Sequence, residues 1–464
     1  MMNQEKRIQR RPVRPRPGSR RILLVEPAFP IPPKSKNHKD FLPIGLLKIG
    51  SWLEDEGFRV KLVHGNVAES SLPFKPDEVW ITSLFTYWSN YVIDSAAYYR
   101  SFSKKPRIVI GGIYASLMEQ HCKKQTGCDV VFKGVHPIAE QYYPAYSLLE
   151  NDIDYQVIHA SRGCVRKCKF CGVHIIEPEG LKSETSILPL IARPKNGRRK
   201  LCDADIASDD YVIDKRNLVF YDNNLLANEH IEDLLSELTL LKRRREIGWC
   251  ESQSGFDGRI LEKKPHLAHM LKAAGFRSPR IAWDWGISQG SSVKSQIDLL
   301  VAAGYACKEI YVFMIYNWGI PFLEMEAKRV RCFEWRVQIA DCRFRPLNQT
   351  DDRYRPNALH QTQGYHIHEA KGWTDALVKQ FRRNVRRQNI CVRHGFPFYS
   401  RAFETKSVTA ERMRTVKNAD SIDEKIRLMK DWGYDYWDPS NITPSDNEAL
   451  DDMPYQQPTL KEFF

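Results

Sequence analysis

The residues best suited to chemistry are three cysteines in HASRGCVRKCKFCGVH, residues 159–174: Cys164, Cys168 and Cys171, in the order C-x3-C-x2-C. The chain holds 11 cysteines in 464 residues, too dilute for a disulfide scaffold, so a bunch of three points to metal. Three thiolates on one tight loop can hold three corners of a cubane four-iron, four-sulfur (4Fe-4S) cluster and leave the fourth iron open to a substrate or cofactor. Arg162, Arg166, Lys167 and Lys169 surround the loop with positive charge, which favours thiolate over thiol and offsets a negatively charged cluster. The alternative donor set adds His174 and makes a closed Cys3His zinc site.

Such a loop needs a strand before it and a sharp turn into it. Residues 155–160 read as the strand, and Gly163 supplies the turn. Further strand-like runs recur at NLVFYD, IGWCESQ, RIAWDW, EIYVFMIY and RVQIADC, mostly separated by helical segments such as 228–241 and 293–303. Upstream, RILLVEP, residues 60–63, EVWITSLF and PRIVIGG alternate with helical stretches, the first marked by Leu46, Leu47, Ile49, Gly50 and Leu53 and closed by Gly57. This β-α alternation predicts a doubly wound parallel sheet over residues 21–150.

The cysteine spacing, with Phe170 just before the last cysteine, resembles residue for residue the signature loop of radical S-adenosylmethionine (radical SAM) enzymes. The upstream region resembles the cobalamin-binding, Rossmann-like domain that precedes the catalytic barrel in one branch of that superfamily. Phe41-Leu42-Pro43-Ile44-Gly45-Leu46 matches the segment opening its first helix, Thr82-Ser83-Leu84 and Gly111-Gly112 fall where its members line the cobalamin tail, and DVVFKG, residues 129–134, resembles its last strand. The cobalt-ligating Asp-x-His-x-x-Gly loop is absent; PAFPIPPKSKNHKD stands in its place, with His38 outside the flanking pattern. The resemblance implies an α/β chain in which the sheet over 21–150 is followed by a partial TIM-type (β/α)6 barrel over 151–345. It also implies a 4Fe-4S cluster on the three cysteines, S-adenosylmethionine chelated to the open iron, a ferredoxin- or flavodoxin-type electron donor, and a 5′-deoxyadenosyl radical that abstracts hydrogen from the substrate. Cobalamin is a possible further cofactor.

In barrels of this kind chemistry sits at the C-terminal ends of strands. By that resemblance Asp222, Asn223 and Asn224 bind the methionine amino group and Glu251, Ser252 and Gln253 contact the ribose, while Trp283, Asp284, Tyr316, Asn317, Gln338 and Asp341 face substrate or adenine. For any one of these, a satisfied polar residue capping a helix is an equally open reading.

The formal net charge of +13 is uneven: residues 1–21 carry +7, the last 45 carry −7, and the body between keeps about +13. The Pro-broken stretch RIQRRPVRPRPGSRR, residues 7–21, makes up most of the arm assigned to 1–20 and reads as disordered and suited either to phosphates or to solubility alone. A basic helical region is expected over 346–430, where Thr374 or Asp375 caps a helix with Leu377, Val378, Phe381 and Val385 on one face. Arg382, Arg383, Arg386 and Arg387 flank that face, a row that suits phosphates or a salt-bridged surface. ARPKNGRRK, ending at residue 200, is a second basic cluster.

The acidic segment 431–464 reads as a tether without periodicity. It ends in Gln457-x-x-Leu460-x-x-Phe463-Phe464, which resembles the box that binds replication and repair proteins to the sliding clamp (PCNA), a placement common among archaeal carriers of that box. No window approaches 18 consecutive apolar residues and no signal-peptide pattern opens the chain, so a cytoplasmic location is expected. The sum is a radical SAM enzyme acting on DNA at a clamp. A cobalamin-dependent methyltransferase, a tailoring enzyme for a metabolite or tRNA, and a non-catalytic clamp-associated iron–sulfur DNA-binding factor stand as alternatives.

Overall fold

In the computed structural model the described residues are 20–31, 41–194, 211–358, 360–361 and 363–440. The chain is mixed α/β and divides into two compact units: residues up to Ser254 with Pro346–Asp352, and Gly255–Arg345 with the residues from Arg353 onward.

The first unit is built on a five-stranded parallel sheet in the order β2-β1-β3-β4-β5, formed by β1 (Arg21–Glu26), β2 (Arg59–His64), β3 (Glu78–Ser83), β4 (Arg107–Gly112) and β5 (Val130–Val131). The run ILLV in β1 is unbroken because both faces of the strand are covered. Ile22 and Leu24 pack with Leu46, Leu47 and Leu53 of α1 (Ile44–Asp55), while Leu23 and Val25 pack on the opposite side with Val92, Ala96 and Tyr99 of α2 (Ser89–Arg100). Short helices α3 (Ile113–Leu117) and α4 (Glu119–Thr126) lead into β5. Strand order reverses between β1 and β3, the position at which open parallel sheets form a ligand crevice.

A second sheet in the same unit has the parallel order β12-β11-β6, from β6 (Tyr155–Ile158), β11 (Asn217–Phe220) and β12 (Cys250–Ser252). Between β6 and β11 lie two antiparallel pairs, β7 (Ser161–Arg162) with β8 (Lys182–Ser183) and β9 (Arg193–Pro194) with β10 (Tyr211–Val212), and the short helices α5 (Val173–Ile176) and α6 (Leu188–Ile191). Helix α7 (Ile231–Arg243) joins β11 to β12, its Leu234, Leu235, Leu238 and Leu241 buried at helical spacing. A boundary at residue 150 does not separate the two sheets. Leu42 packs with Tyr155, Val157 and Val219, and the Tyr146 hydroxyl accepts the Val157 N–H at 2.8 Å, so apolar and polar contacts both cross that point.

The second unit carries the parallel sheet β13-β14-β15, formed by β13 (Arg280–Ala282), β14 (Tyr311–Tyr316) and β15 (Gln338–Arg343). Around its chain order run α8 (Gly258–Lys263), α9 (His266–Ala273), α10 (Gly290–Ala302), α11 (Phe322–Glu334) and α12 (Asp375–His394), then α13 (Arg401–Glu404), α14 (Ala410–Asn418) and α15 (Ile422–Asp431). Thr374 caps α12 by accepting the Leu377 N–H at 3.3 Å, and Gly395, in the left-handed region, ends it. Between α11 and α12 an ion pair is wholly buried. Arg329 meets both oxygens of Glu326 at 2.9 Å, donates to Gln388 at 2.8 Å, and Asn384 donates to Glu326 at 3.0 Å. Every charge in that pair has hydrogen-bonded company, the condition under which a buried pair is tolerated.

Of the segment expected to be a tether, the described part, residues 431–440, is folded onto the second unit. Trp437 forms a two-bond bridge with Tyr399, each 2.7 Å, lies beneath the Arg329 and Arg387 guanidiniums, and the Pro439 carbonyl accepts from Arg329 at 2.5 Å. Acidic residues and prolines masked Trp432, Tyr434 and Trp437, whose rings give this stretch enough apolar surface to fold onto the unit. Among the described residues no helix is long and apolar enough to cross a membrane.

Candidate functional site

The cysteine loop leaves the end of β6 and returns through a small antiparallel clasp, with Ser161 opposite Ser183 and Arg162 opposite Lys182. Gly163 sits at φ +75°, and a Cβ there would lie 1.8 Å from the Gly180 carbonyl oxygen, so the two sides of the loop close because this residue is glycine. The clasp is also held by charge. Arg162 donates through Nε and Nη2 to Glu140 at 2.9 and 2.7 Å, Lys48 reaches the same carboxylate at 2.8 Å, and the Glu177 carboxylate accepts the Gly163 N–H. Burial pushes the Glu140 carboxyl up, yet Lys48 and Arg162 outweigh it and hold it below the usual range; burial likewise pushes the Lys48 ammonium down.

Beyond the clasp all three sulfurs are partly exposed, whereas Cys122, Cys128, Cys250, Cys332 and Cys391 are buried. Cys164 Sγ accepts the Arg166 N–H at 3.3 Å, and the Cys171 N–H donates to the Cys168 carbonyl at 3.0 Å. Gly172, just after the last cysteine, lets the chain pass Leu117 of α3; a Cβ there would come within 3.2 Å of that side chain. His174 Nδ1 is buried without a hydrogen-bond partner. Among the described residues no three His, Cys, Asp or Glu side chains are drawn together as a metal ligand set.

Asp222, expected to hold a ligand's amino group, holds the loop instead. Fully buried at the end of β11, its carboxylate accepts the Ala160 N–H at 3.2 Å, the Ser161 N–H at 2.5 Å and the Ser161 hydroxyl at 2.8 Å. Burial pushes its pKa up to about 6 against the pull of those donors. Asn228, which sequence reasoning passed over, completes the grip by donating to the Ala160 carbonyl at 2.7 Å and to that of Glu184 at 3.2 Å. Asn223 is half-buried and Asn224 buried, at the start of a 3-10 turn. Glu251 and Gln253 pair with each other at 2.9 Å beside buried Ser252. Lys48, Glu140 and Glu177 were also missed; the only sequence signal for the two acids was that four cations on one loop call for carboxylates nearby.

The candidates of the second unit are mostly structural. The Trp283 ring is fully buried, stacked on Trp335 at 5.4 Å, with its N–H donating to the Gly286 carbonyl at 3.0 Å. Tyr316 packs against Phe381 and Trp373 because β14 alternates, and its Val312, Met314 and Tyr316 fall on the buried side. Asn317 takes a left-handed backbone, donates to the His366 carbonyl at 2.7 Å and accepts the His368 N–H at 2.9 Å. Gln338 donates to the Lys308 carbonyl at 2.6 Å. These four side chains are engaged by the fold. Asp284 and Asp341 are half-buried, and burial pushes Asp284 up to about 6 and Asp341 above its usual range.

The arginine row of α12 separates. Arg383 donates to Gln380 at 2.7 Å and Arg387 lies over Tyr399 and Trp437, while Arg382 and Arg386 line a cavity with Asp341. Gln457, Leu460, Phe463 and Phe464, His38, residues 1–19 and most of the 193–200 cluster lie outside the described residues. At the ends of β3 and β4, packing requires one glycine of the pair: Gly112 has φ +100°, and a Cβ there would meet the Ser83 carbonyl oxygen at 2.2 Å, whereas one on Gly111 would make only ordinary contacts with Phe132. Compared with known proteins, the chain matches no family model and no curated protein.

Proposed function

We propose that the chain is a radical SAM enzyme whose Cys164, Cys168 and Cys171 bind a 4Fe-4S cluster, with a Rossmann-like first sheet followed by a partial (β/α)6 barrel. The observation that carries this reading is the C-x3-C-x2-C spacing with Phe170, on a loop closed by an ion-paired clasp and with its three cysteines half-buried. The donor set fits: three soft ligands and no fourth cysteine nearby in sequence leave one metal position for a small molecule. When bound, the cluster and S-adenosylmethionine supply a 5′-deoxyadenosyl radical for hydrogen abstraction, with electrons from a ferredoxin or flavodoxin. The protein's own part is to hold the loop: Asp222 and Asn228 fix the Ala160–Ser161 peptide, and Arg162, Glu140 and Glu177 fix the clasp. Asn223 and the Glu251–Gln253 segment are the groups of this unit offered to S-adenosylmethionine. Cobalamin as a further cofactor rests on the resemblance of the first sheet alone, since strand packing by itself requires the glycine at 112.

DNA as substrate and a sliding clamp as partner are supported by the terminal box and by the basic balance of the body. Anaerobic reconstitution with iron and sulfide, then reduction in the presence of S-adenosylmethionine, should yield 5′-deoxyadenosine in the wild type and none with Cys164→Ala, Cys168→Ala or Cys171→Ala. Full cleavage in any of these variants overturns the assignment. His174→Ala should leave cleavage intact, whereas zinc bound in place of iron and lost in that variant would establish the closed Cys3His site. Calorimetry of a 446–464 peptide against the source organism's clamp, with Phe463 and Phe464 changed to Ala as control, tests the tether: micromolar binding is expected, and none in either peptide removes it.

A further inference from the structure

Helix α12 and the end of α13 enclose a half-open cavity of about 510 Å3 within the second unit. Its charged lining is Arg382, Arg386, Arg393 and Lys406 against Asp341 and Glu404, a formal excess of two positive charges. His394, held toward its neutral form by burial and by the charges of Arg393 and Lys417, adds little to that at neutral pH. Glu404 is already occupied on both sides, by an ion pair with Arg386 and by the Tyr399 hydroxyl at 2.6 Å. Asp341 is half-buried; burial pushes its carboxyl above the usual range while the charge of Arg382 pulls it down.

Three guanidiniums around one hollow are matched to an oxyanion with several equivalent oxygens, because each planar fork can donate two parallel hydrogen bonds. A cavity of this size admits a mononucleotide. Ile390 and Phe403 supply an apolar wall beside the charges, and the Phe403 ring is itself fixed by stacking on Phe396 at 4.3 Å. The supporting helix is rigid where it matters. Asn389 accepts the Ile339 N–H at 2.8 Å and donates to the Ile339 carbonyl at 2.7 Å, tying α12 to the edge strand β15.

We propose that this cavity is a phosphomonoester site, with Arg382, Arg386 and Arg393 grasping the phosphate and Glu404 restraining Arg386 until an anion displaces it. The site is built wholly from residues of the second unit and needs no cluster. A phosphomonoester can come as a free nucleotide or as the terminal phosphate of a nucleic-acid strand, and the probes separate the two.

Calorimetry of the full-length chain with AMP, adenosine, and an eight-nucleotide strand bearing either a 5′-phosphate or a 5′-hydroxyl tests the proposal. Adenosine and the 5′-hydroxyl strand should bind at least tenfold more weakly than their phosphorylated counterparts. Tighter binding of AMP than of the phosphorylated strand would assign the free nucleotide, and the reverse order would assign the strand end. R382Q and R393Q, both on exposed side chains, should each weaken AMP binding about tenfold with an unchanged melting temperature, and E404Q should tighten it by releasing Arg386. Equal binding of AMP and adenosine, or an E404Q variant no tighter than wild type, overturns the proposal. Phosphate-dependent binding that survives both arginine changes places the anion elsewhere and overturns it too.

Discussion

The clasp of the cysteine loop and the arginine row of α12 are both dense in positive charge, but the fold treats them differently. At the clasp, Arg162 and Lys48 converge on Glu140, Arg162 also approaches Glu177 at 3.6 Å, and Lys48 is nearly buried. On α12, by contrast, Arg382, Arg386 and Arg393 remain exposed: Glu404 pairs with Arg386, Arg382 meets Tyr354 and the field of Asp341, and Arg393 reaches Gln338 at 3.4 Å. Cations met by half-buried carboxylates become scaffold, and cations left beside a hollow become available to a ligand. Charge density along a sequence is the same in both cases; the position of the carboxylates is not.

Three changes would break or sharpen this contrast. The largest effect belongs to Asp222→Ala, which leaves two buried backbone N–H groups and a hydroxyl without their acceptor. A loss of about 3–5 kcal/mol is expected, read as a lowered urea midpoint together with protease cleavage inside 160–183. A variant with wild-type stability would show that Asp222 does not hold the loop.

Glu140→Gln should come next. Its folded pKa is depressed, so the carboxylate contributes stability above its unfolded value near 4.5, and that contribution is lost as pH falls through the lower folded value. Wild type should therefore lose stability on acidification in this window, while the variant, already about 1–3 kcal/mol less stable at pH 7, should show a flatter profile there. Parallel profiles would remove Glu140 from the clasp. The smallest effect is expected from Arg382→Gln with Arg393→Gln: thermal unfolding within about 1 kcal/mol of wild type, since both side chains are exposed and what is lost is a long 3.4 Å bond from Arg393 to Gln338 and the bond of Arg382 to Tyr354. A large destabilisation would place the row with the clasp, as scaffold.

Much of the first unit was legible in the sequence. RILLV, VWITS and RIVIGG are strands within a residue or two of their apolar runs, because a strand covered on both faces must be apolar throughout. The cap and apolar face of α12 were equally plain, since Thr374 and the spacing of Leu377, Val378, Phe381 and Val385 act locally. Polar residues at strand ends were harder to read. Tyr316 and Asp341 both stood as ligand candidates, yet Tyr316 lies against Phe381 and Trp373 while Asp341 lines the cavity. Alternation along a strand says that neighbours point to opposite faces, but which face meets a helix depends on where that helix docks.

What the sequence determined by itself was the local chemistry: three thiols at close spacing, glycine at the one position where the loop must close, the apolar strands, and the capped helix. These follow from covalent spacing and from each segment's own periodicity. Tertiary structure alone decided that Asp222 and Asn228 would grip the same peptide from β11 and the turn beyond it, that Glu140 would neutralise two cations distant in sequence, and that Trp437 would fold back on Tyr399. Each of these joins residues 18 or more positions apart, as the 38 between Tyr399 and Trp437 illustrate, and such pairs form only once the packing of the strands and helices between them has set the distance.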